Sequence, residues 1–344
     1  MIKNNLTILK AGYRRRHYRY LAVTLFLVIL TLSLSAAMLL LGNTRYPLSV
    51  VIQVLLGEDI NGAGFAIGTI RLPRMFSGLL VGMAFGMAGS TFQTMLRNPL
   101  ASPDIIGVTS GSSVAAVFCI LVLKISGSLV SAAAVIAGLL VAALIYLLSK
   151  GGSFSGGRLI LIGIGIQAML NALISYLLLK ASQYDVPGAL RWLSGSLGGA
   201  QMEDIPVLFT VVIIFGAVII LLGKHLKILE LGEQTALTLG VRTDVTRLLL
   251  VLSSVCLIAF ATAVTGPVAF VAFLSGPIAA RLVGIGTPNE LPSGLVGASL
   301  VLGADLIGQF AFPTRYPVGV ITGILGAPYL LYLLIRMNRK GGSS

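Results

Sequence analysis

From Leu21 to Leu41 the chain runs 21 residues without a charged side chain. A helix needs about 20 mostly apolar residues to cross the hydrocarbon of a bilayer. Inside that layer only helices and closed barrels satisfy every backbone group. Runs of similar character recur at 74–95, 111–124, 128–149, 159–180, 206–223, 248–265, 267–284, 294–311 and 318–335, ten in all. The third and eighth are marginal in length, and soft boundaries near Gly111 and at Gly266 leave a count of nine open. Composition agrees with spans rather than a soluble core: 56% of residues are hydrophobic, 10% are charged, and 41 of the 344 are glycine. An ordinary globular chain carries about 25% charge. The sequence predicts an all-α polytopic membrane protein with about ten transmembrane helices.

The net charge of +13 does not point to nucleic acid. Basic residues sit in short segments between apolar runs, not on one polar face with stacking aromatics. Seven of the 24, namely Arg45, Arg71, Arg74, Lys124, Lys180, Arg191 and Arg315, fall on one side of the bilayer, and the rest on the other. The positive-inside rule then places both termini in the cytoplasm, with an even number of spans. The first run is too long for a signal-peptide core of about 7–15 residues, so it reads as an uncleaved span. The domain expectation is a basic cytoplasmic segment at 1–20, one membrane domain over 21–335 and a cytoplasmic tail at 336–344. The loop 224–247 stands apart, with charges interleaved among Leu, Ile and Val. It suits two short amphipathic helices broken at Gly232 or Gly240, a docking surface more than a tether. Spans two to five and seven to ten flank it as candidate structural repeats.

Catalytic chemistry finds no footing. His17 and His225 lie in loops without acidic or cysteine neighbours at ligand spacing, and Cys119 and Cys256 sit singly in apolar runs, so no metal site is expected. Gly223-Lys224 lacks the upstream glycine of a phosphate-binding loop, so any ATP must be bound by another chain. Gln167, Asn171 and Ser175 recur every four residues on one face of span five, either as a hydrogen-bond seam or as the wall of a wet pathway. Asp305 is the one ionisable residue deep in a span, with no Arg or His expected beside it. That gives an ion-coupled secondary transporter weak support, and a membrane enzyme none. The glycine-rich stretch 150–158, with Ser153 and Ser155, is either an inner gate or a plain connector.

Between spans one and three the chain reads Arg71-Leu72-Pro73-Arg74, then a glycine-rich span, then Arg97-Asn98-Pro99-Leu100-Ala101-Ser102-Pro103-Asp104 and Gly107. Ala236-Leu237-Thr238-Leu239-Gly240, Gly266-Pro267 and Pro317-Val318-Gly319 follow, with Gly326 and Pro328 further on. The chain resembles, from about residue 15 to 337, the permease subunits of ABC importers for ferric siderophores, haem and cobalamin. The resemblance implies a type II ABC importer permease fold in a prokaryotic plasma membrane. It also implies a second permease subunit, two ATP-binding subunits holding ATP and Mg, and an extracytoplasmic substrate-binding protein. No cofactor falls to this chain.

Residue by residue, the resemblance assigns Arg71, Arg74 and Arg315 to binding-protein docking. Glu230, Gly232, Glu233, Ala236, Leu239, Gly240 and Arg242 go to the ATPase-coupling segment, and Gln167, Asn171 and Ser175 to the pathway wall. Relatives often carry Pro-His at the end of span eight, whereas this chain reads Ser275-Gly276-Pro277. That departure resembles permeases that pair with a non-identical partner. The expected cargo is a ferric siderophore, with cobalamin or haem as the alternative.

Overall fold

The computed structural model describes residues 2–58, 60, 62–149, 156–284 and 286–341. Thirteen α-helices follow in chain order: α1 (Ile2–Leu40), α2 (Leu48–Leu55), α3 (Leu72–Met95), α4 (Val108–Phe118), α5 (Ser128–Ser149), α6 (Gly156–Lys180) and α7 (Val186–Leu193). After these come α8 (Ile205–Glu230), α9 (Glu233–Thr238), α10 (Thr243–Thr265), α11 (Val271–Val283), α12 (Glu290–Phe310) and α13 (Val318–Gly341). Wider π-type turns lead into α3 at Phe65–Arg71 and extend α4 through Cys119–Leu123. Among the described residues, seven helical stretches are long and apolar enough to cross a membrane, and Val108–Leu123, Val271–Val283 and Val318–Leu333 are shorter apolar helices. Together these account for the ten expected crossings, including the short third and eighth.

The third crossing gains its length from the π-type extension. The eighth cannot span alone, because 13 residues rise only about 20 Å. The stretch before it, 266–270, is irregular, with Phe270 at φ +64°. Non-helical backbone at such a depth is tolerated when protein covers it. The cover here is a three-way clasp of backbones. The Ser196 N–H donates to the Thr265 carbonyl at 2.7 Å, and the Gly319 N–H to the Gly195 carbonyl at 3.1 Å. A Cβ on Gly195 would overlap the Pro267 carbonyl, one on Gly266 the Trp192 carbonyl, and one on Gly319 the Ser194 carbonyl.

α3 is the axle of the bundle, packed against α8, α10, α11 and α12. Its glycines explain how. Side chains on Gly82, Gly86 and Gly89 would overlap the backbones of Ala298, Ser293 and Ala272, so small residues at this spacing bring helices into near contact. Phe85, Met87 and Phe92 fill the remaining space and are fully buried. Gln93 belongs to the same seam, its amide donating to the Phe273 carbonyl at 2.9 Å. On the periphery α1 seats Leu27 against Ala279 and Val296.

The inner loop 224–247 differs from the expectation in one respect. Two short helices were expected in 224–247, but α8 continues unbroken to Glu230, and only α9 stands free between Gly232 (φ +119°) and Gly240 (φ +81°). Residues 224–230 keep the helical periodicity of α8, burying Leu226 and Leu229 on the bundle side while Lys224 and His225 face out.

Candidate functional site

At the outer end, the motif arginines turn inward. Arg71 is 9% exposed. One of its terminal nitrogens donates to the Leu39 carbonyl at 2.7 Å and the Leu40 carbonyl at 3.3 Å, the other to the Thr44 carbonyl at 2.6 Å. Those acceptors include the last carbonyls of α1, which carry the negative end of the helix dipole. Tyr46 lies 5.1 Å beneath the guanidinium. Arg74 donates through Nε and Nη2 to the two oxygens of Asp305, at 2.8 and 2.7 Å. Gln309 adds a third donor at 2.7 Å. The expectation that Asp305 lacks an arginine partner is therefore overturned, and the acid's charge is matched within the bundle. Neither motif arginine is a free outward cation. Arg315 is exposed, held by the Asn43 side-chain oxygen at 2.5 Å.

On one face of the bundle, an open pocket of about 360 Å³ lies between α4, α6, the end of α7 and Pro267. Its lining is Thr109, Ser110, Ser113, Asn171, Ile174, Ser175, Leu193 and Pro267. Asn171 and Ser175, two of the three stripe residues, thus share one wall, while Gln167 is half-buried outside it. The wall carries hydroxyl and amide groups and no formal charge. Several hydroxyl protons are already committed: Ser113 donates to the Thr109 carbonyl at 2.7 Å and Ser175 to the Asn171 carbonyl at 3.0 Å. Their oxygen lone pairs and the Asn171 amide remain to meet a polar solute or water.

Sequence reasoning missed the α4 contribution. The signal was a run of hydroxyls after Gly107 whose 109/113 spacing puts two of them on one helical face. Thr109 is in turn fixed from the inner loop, donating to the Asp104 carboxylate at 3.0 Å, and Ser102 donates to the same group at 3.0 Å. Desolvation pushes the Asp104 carboxyl up from its ordinary value, with the Thr109 and Ser102 bonds pulling the other way.

At the inner face, α9 buries Ala236 and exposes Leu237 and Leu239 beside Leu231. Glu233 holds Arg247 at 3.1 Å and Glu230 holds Lys227 at 3.4 Å, while Arg242 is exposed. The positive φ at Gly232 and Gly240 is a conformation that L side chains rarely adopt, so these two glycines set the turns that present α9. Ser153 and Ser155, the expected inner gate, lie outside the described residues. Among the described residues no group of three or more His, Cys, Asp or Glu could hold a metal ion.

The chain matches the FecCD transport family over residues 25–336. It belongs to that family. Among curated relatives of this FecCD chain, the ferric enterobactin transport system permease protein FepG of Escherichia coli (strain K12) is 36% identical over 300 residues, 87% of this chain and 91% of that one. The Fe(3+)-citrate import system permease protein YfmE of Bacillus subtilis (strain 168) is 34% identical, covering 95% and 98%. The cobalamin import system permease protein BtuC of Halobacterium salinarum is 36% identical over 78% of this chain and 73% of its own. Among solved structures, one assigned to the metal-chelate type of ABC transporter, in an inward-facing conformation, superposes with a TM-score of 0.82 at 26% identity, covering 92% and 99%. This FecCD chain is accordingly an all-α, multi-pass permease of the plasma membrane.

Proposed function

We propose that this permease carries a ferric siderophore complex inward, receiving it from an extracytoplasmic binding protein and driven by two ATP-binding subunits beneath it. α6 supplies the observation that carries the reading. Only 17% of its most apolar stretch is buried within the chain, yet Asn171 and Ser175 are exposed on it. Lipid does not satisfy such groups. A second permease subunit across this face would cover them and enclose the cavity, giving an uncharged hydroxyl-and-amide path between two chains. The absence of His at Ser275-Gly276-Pro277 favours a non-identical partner. The segment 230–242, with α9 set between two glycine turns and three exposed leucines, suits a cleft on the ATPase. The ion-coupled alternative loses ground, since its candidate acid, Asp305, is neutralised by Arg74.

Cobalamin is the second reading, favoured by the similarity to the Halobacterium permease. The test is accumulation of radiolabelled iron, offered as a panel of ferric siderophores beside labelled cobalamin, in cells with and without the gene. Loss for one siderophore class, restored by the wild-type gene, supports the reading. Unchanged iron uptake with redundant importers deleted, together with lost cobalamin uptake, replaces it by the second.

A further inference from the structure

α1 runs unbroken from Ile2 to Leu40, so the face it shows to the bilayer continues into its cytoplasmic segment. Leu21, Leu25, Ile29 and Leu32 form one stripe on that face, each between 48% and 63% exposed. Steps of three and four residues carry the same stripe back through Tyr18 to Arg14. From Leu21 to Leu32 the helix rises about 16 Å, close to the hydrocarbon depth of one leaflet. α1 packs on α11 and α12, whereas α6 packs on α4 and α5, so a subunit seated on α6 leaves this stripe to lipid.

At its inner end the stripe meets Arg14, Arg15, Arg16 and Arg19, and no acidic residue precedes Glu58 in the chain. None of the four arginines joins an ion pair among the described residues. Arg19 is fastened to the bundle. Its Nε donates to the Leu282 carbonyl and its Nη2 to the Arg281 carbonyl, both at 2.9 Å, closing the end of α11. Arg16 leans toward Gly286. Arg14 behaves differently: it folds back toward the membrane, its Nη2 donating to the Tyr18 hydroxyl at 3.2 Å and its guanidinium 5.5 Å from the ring centre. Its other N–H groups and the Tyr18 hydroxyl proton are thereby held at the level of Tyr18, about 5 Å outside the apolar run, where lipid headgroups lie. Arg15 is exposed on the neighbouring row, above Phe26.

We propose that the inner end of α1 is a site for an anionic phospholipid of the cytoplasmic leaflet. Arg14, Arg15 and the Tyr18 hydroxyl hold the lipid phosphate, and Leu21, Leu25, Ile29 and Leu32 carry an acyl chain. The phosphate brings the charge and acceptor oxygens that this run of cations lacks within its own chain. Arg19, bound to α11, keeps the site in fixed relation to the bundle. The inference goes beyond the transport reading and needs only the placement of α1 in the membrane.

The experiment uses the whole importer in mild detergent, titrated with phosphatidylglycerol or with phosphatidylcholine of the same chain length. Bound lipid is counted by native mass spectrometry, and the thermal midpoint is followed in parallel. Wild type should retain phosphatidylglycerol in preference and gain thermal stability from it. Arg14→Gln/Arg15→Gln should bind it about tenfold more weakly, with an unchanged midpoint in lipid-free detergent, because both side chains are exposed. Lys224→Gln, elsewhere on the inner face, should behave as wild type. Tyr18→Phe keeps the ring and removes the hydroxyl; its smaller loss in the same direction keeps the assignment testable should the arginine pair unsettle folding. Equal binding by wild type and the double variant overturns the proposal, as does the lack of any preference between the two lipids. A full midpoint shift with inorganic phosphate alone would make this a free-anion site. Efficient cross-linking from Leu25→Cys to another subunit in native membranes would give the stripe to a protein partner instead.

Discussion

α3 and α6 are both glycine-bearing, both long enough to span, and both carry polar side chains, yet they are used in opposite ways. The most apolar stretch of the α3 span is 83% buried within the chain, that of α6 17%. In α3 the glycines meet neighbouring backbones, whereas a side chain on Gly165 of α6 would meet nothing within 4 Å. Gln93 of α3 is spent on a carbonyl of α11, while Asn171 of α6 looks into a cavity. Composition alone does not separate a scaffold helix from a pathway helix. What separates them is whether other parts of the same chain occupy the face.

The largest test of that contrast is Asp305→Ala. Arg74 would be left desolvated and unpaired against the scaffold, at about 3–5 kcal/mol. Abundance and the thermal midpoint of the detergent-extracted protein should both drop, and Arg74→Met/Asp305→Leu should recover most of the loss. Recovery is the informative arm, since a docking role for Arg74 predicts stable protein without uptake. Gly89→Ala comes next. Its Cβ would overlap the Ala272 carbonyl, so α3 and α11 must separate, for about 3 kcal/mol or more. A thermal midpoint at the wild-type value would show that the scaffold yields more easily than its packing implies.

Asn171→Leu/Ser175→Leu tests the other helix. Uptake should fall about tenfold while folding holds, because the change is confined to an open face. If the permease pair fails to assemble instead, the stripe is an inter-subunit seam and not a path. Smallest of all, Gly165→Ala should change stability by no more than about 0.5 kcal/mol, read as a nearly unmoved thermal midpoint. A strong defect would reveal a partner closer to α6 than the open face suggests.

The ten crossings were legible because a bilayer enforces length and apolarity segment by segment, each readable without its neighbours. The turns at Gly232 and Gly240 were legible for a similar local reason, since these glycines punctuate a charged loop. The Arg74–Asp305 pair was not, because its members lie 231 positions apart and only packing of α3 on α12 joins them. The contacts of Arg71 were hidden on the same ground. Nothing in its motif says that the end of α1 and the loop after it will offer three carbonyls. For the stripe 167–171–175, helical spacing put all three residues on one face, but only tertiary placement decided that Gln167 falls outside the pocket lining.

The backbone clasp at Gly195, Gly266 and Gly319 also sets a timetable for biogenesis. Chains are made from the N-terminus, so the acceptor at Gly195 and the outer end of α10 enter the membrane well before α13 is synthesised. Until Gly319 arrives, the Gly195 carbonyl waits without its donor, and the clasp holds only through its Ser196–Thr265 bond. The last crossing is therefore the one that latches the assembly. A nascent chain stopped before it would hold most of its hydrophobic mass in the bilayer and still present an open seam to the membrane's quality-control proteases.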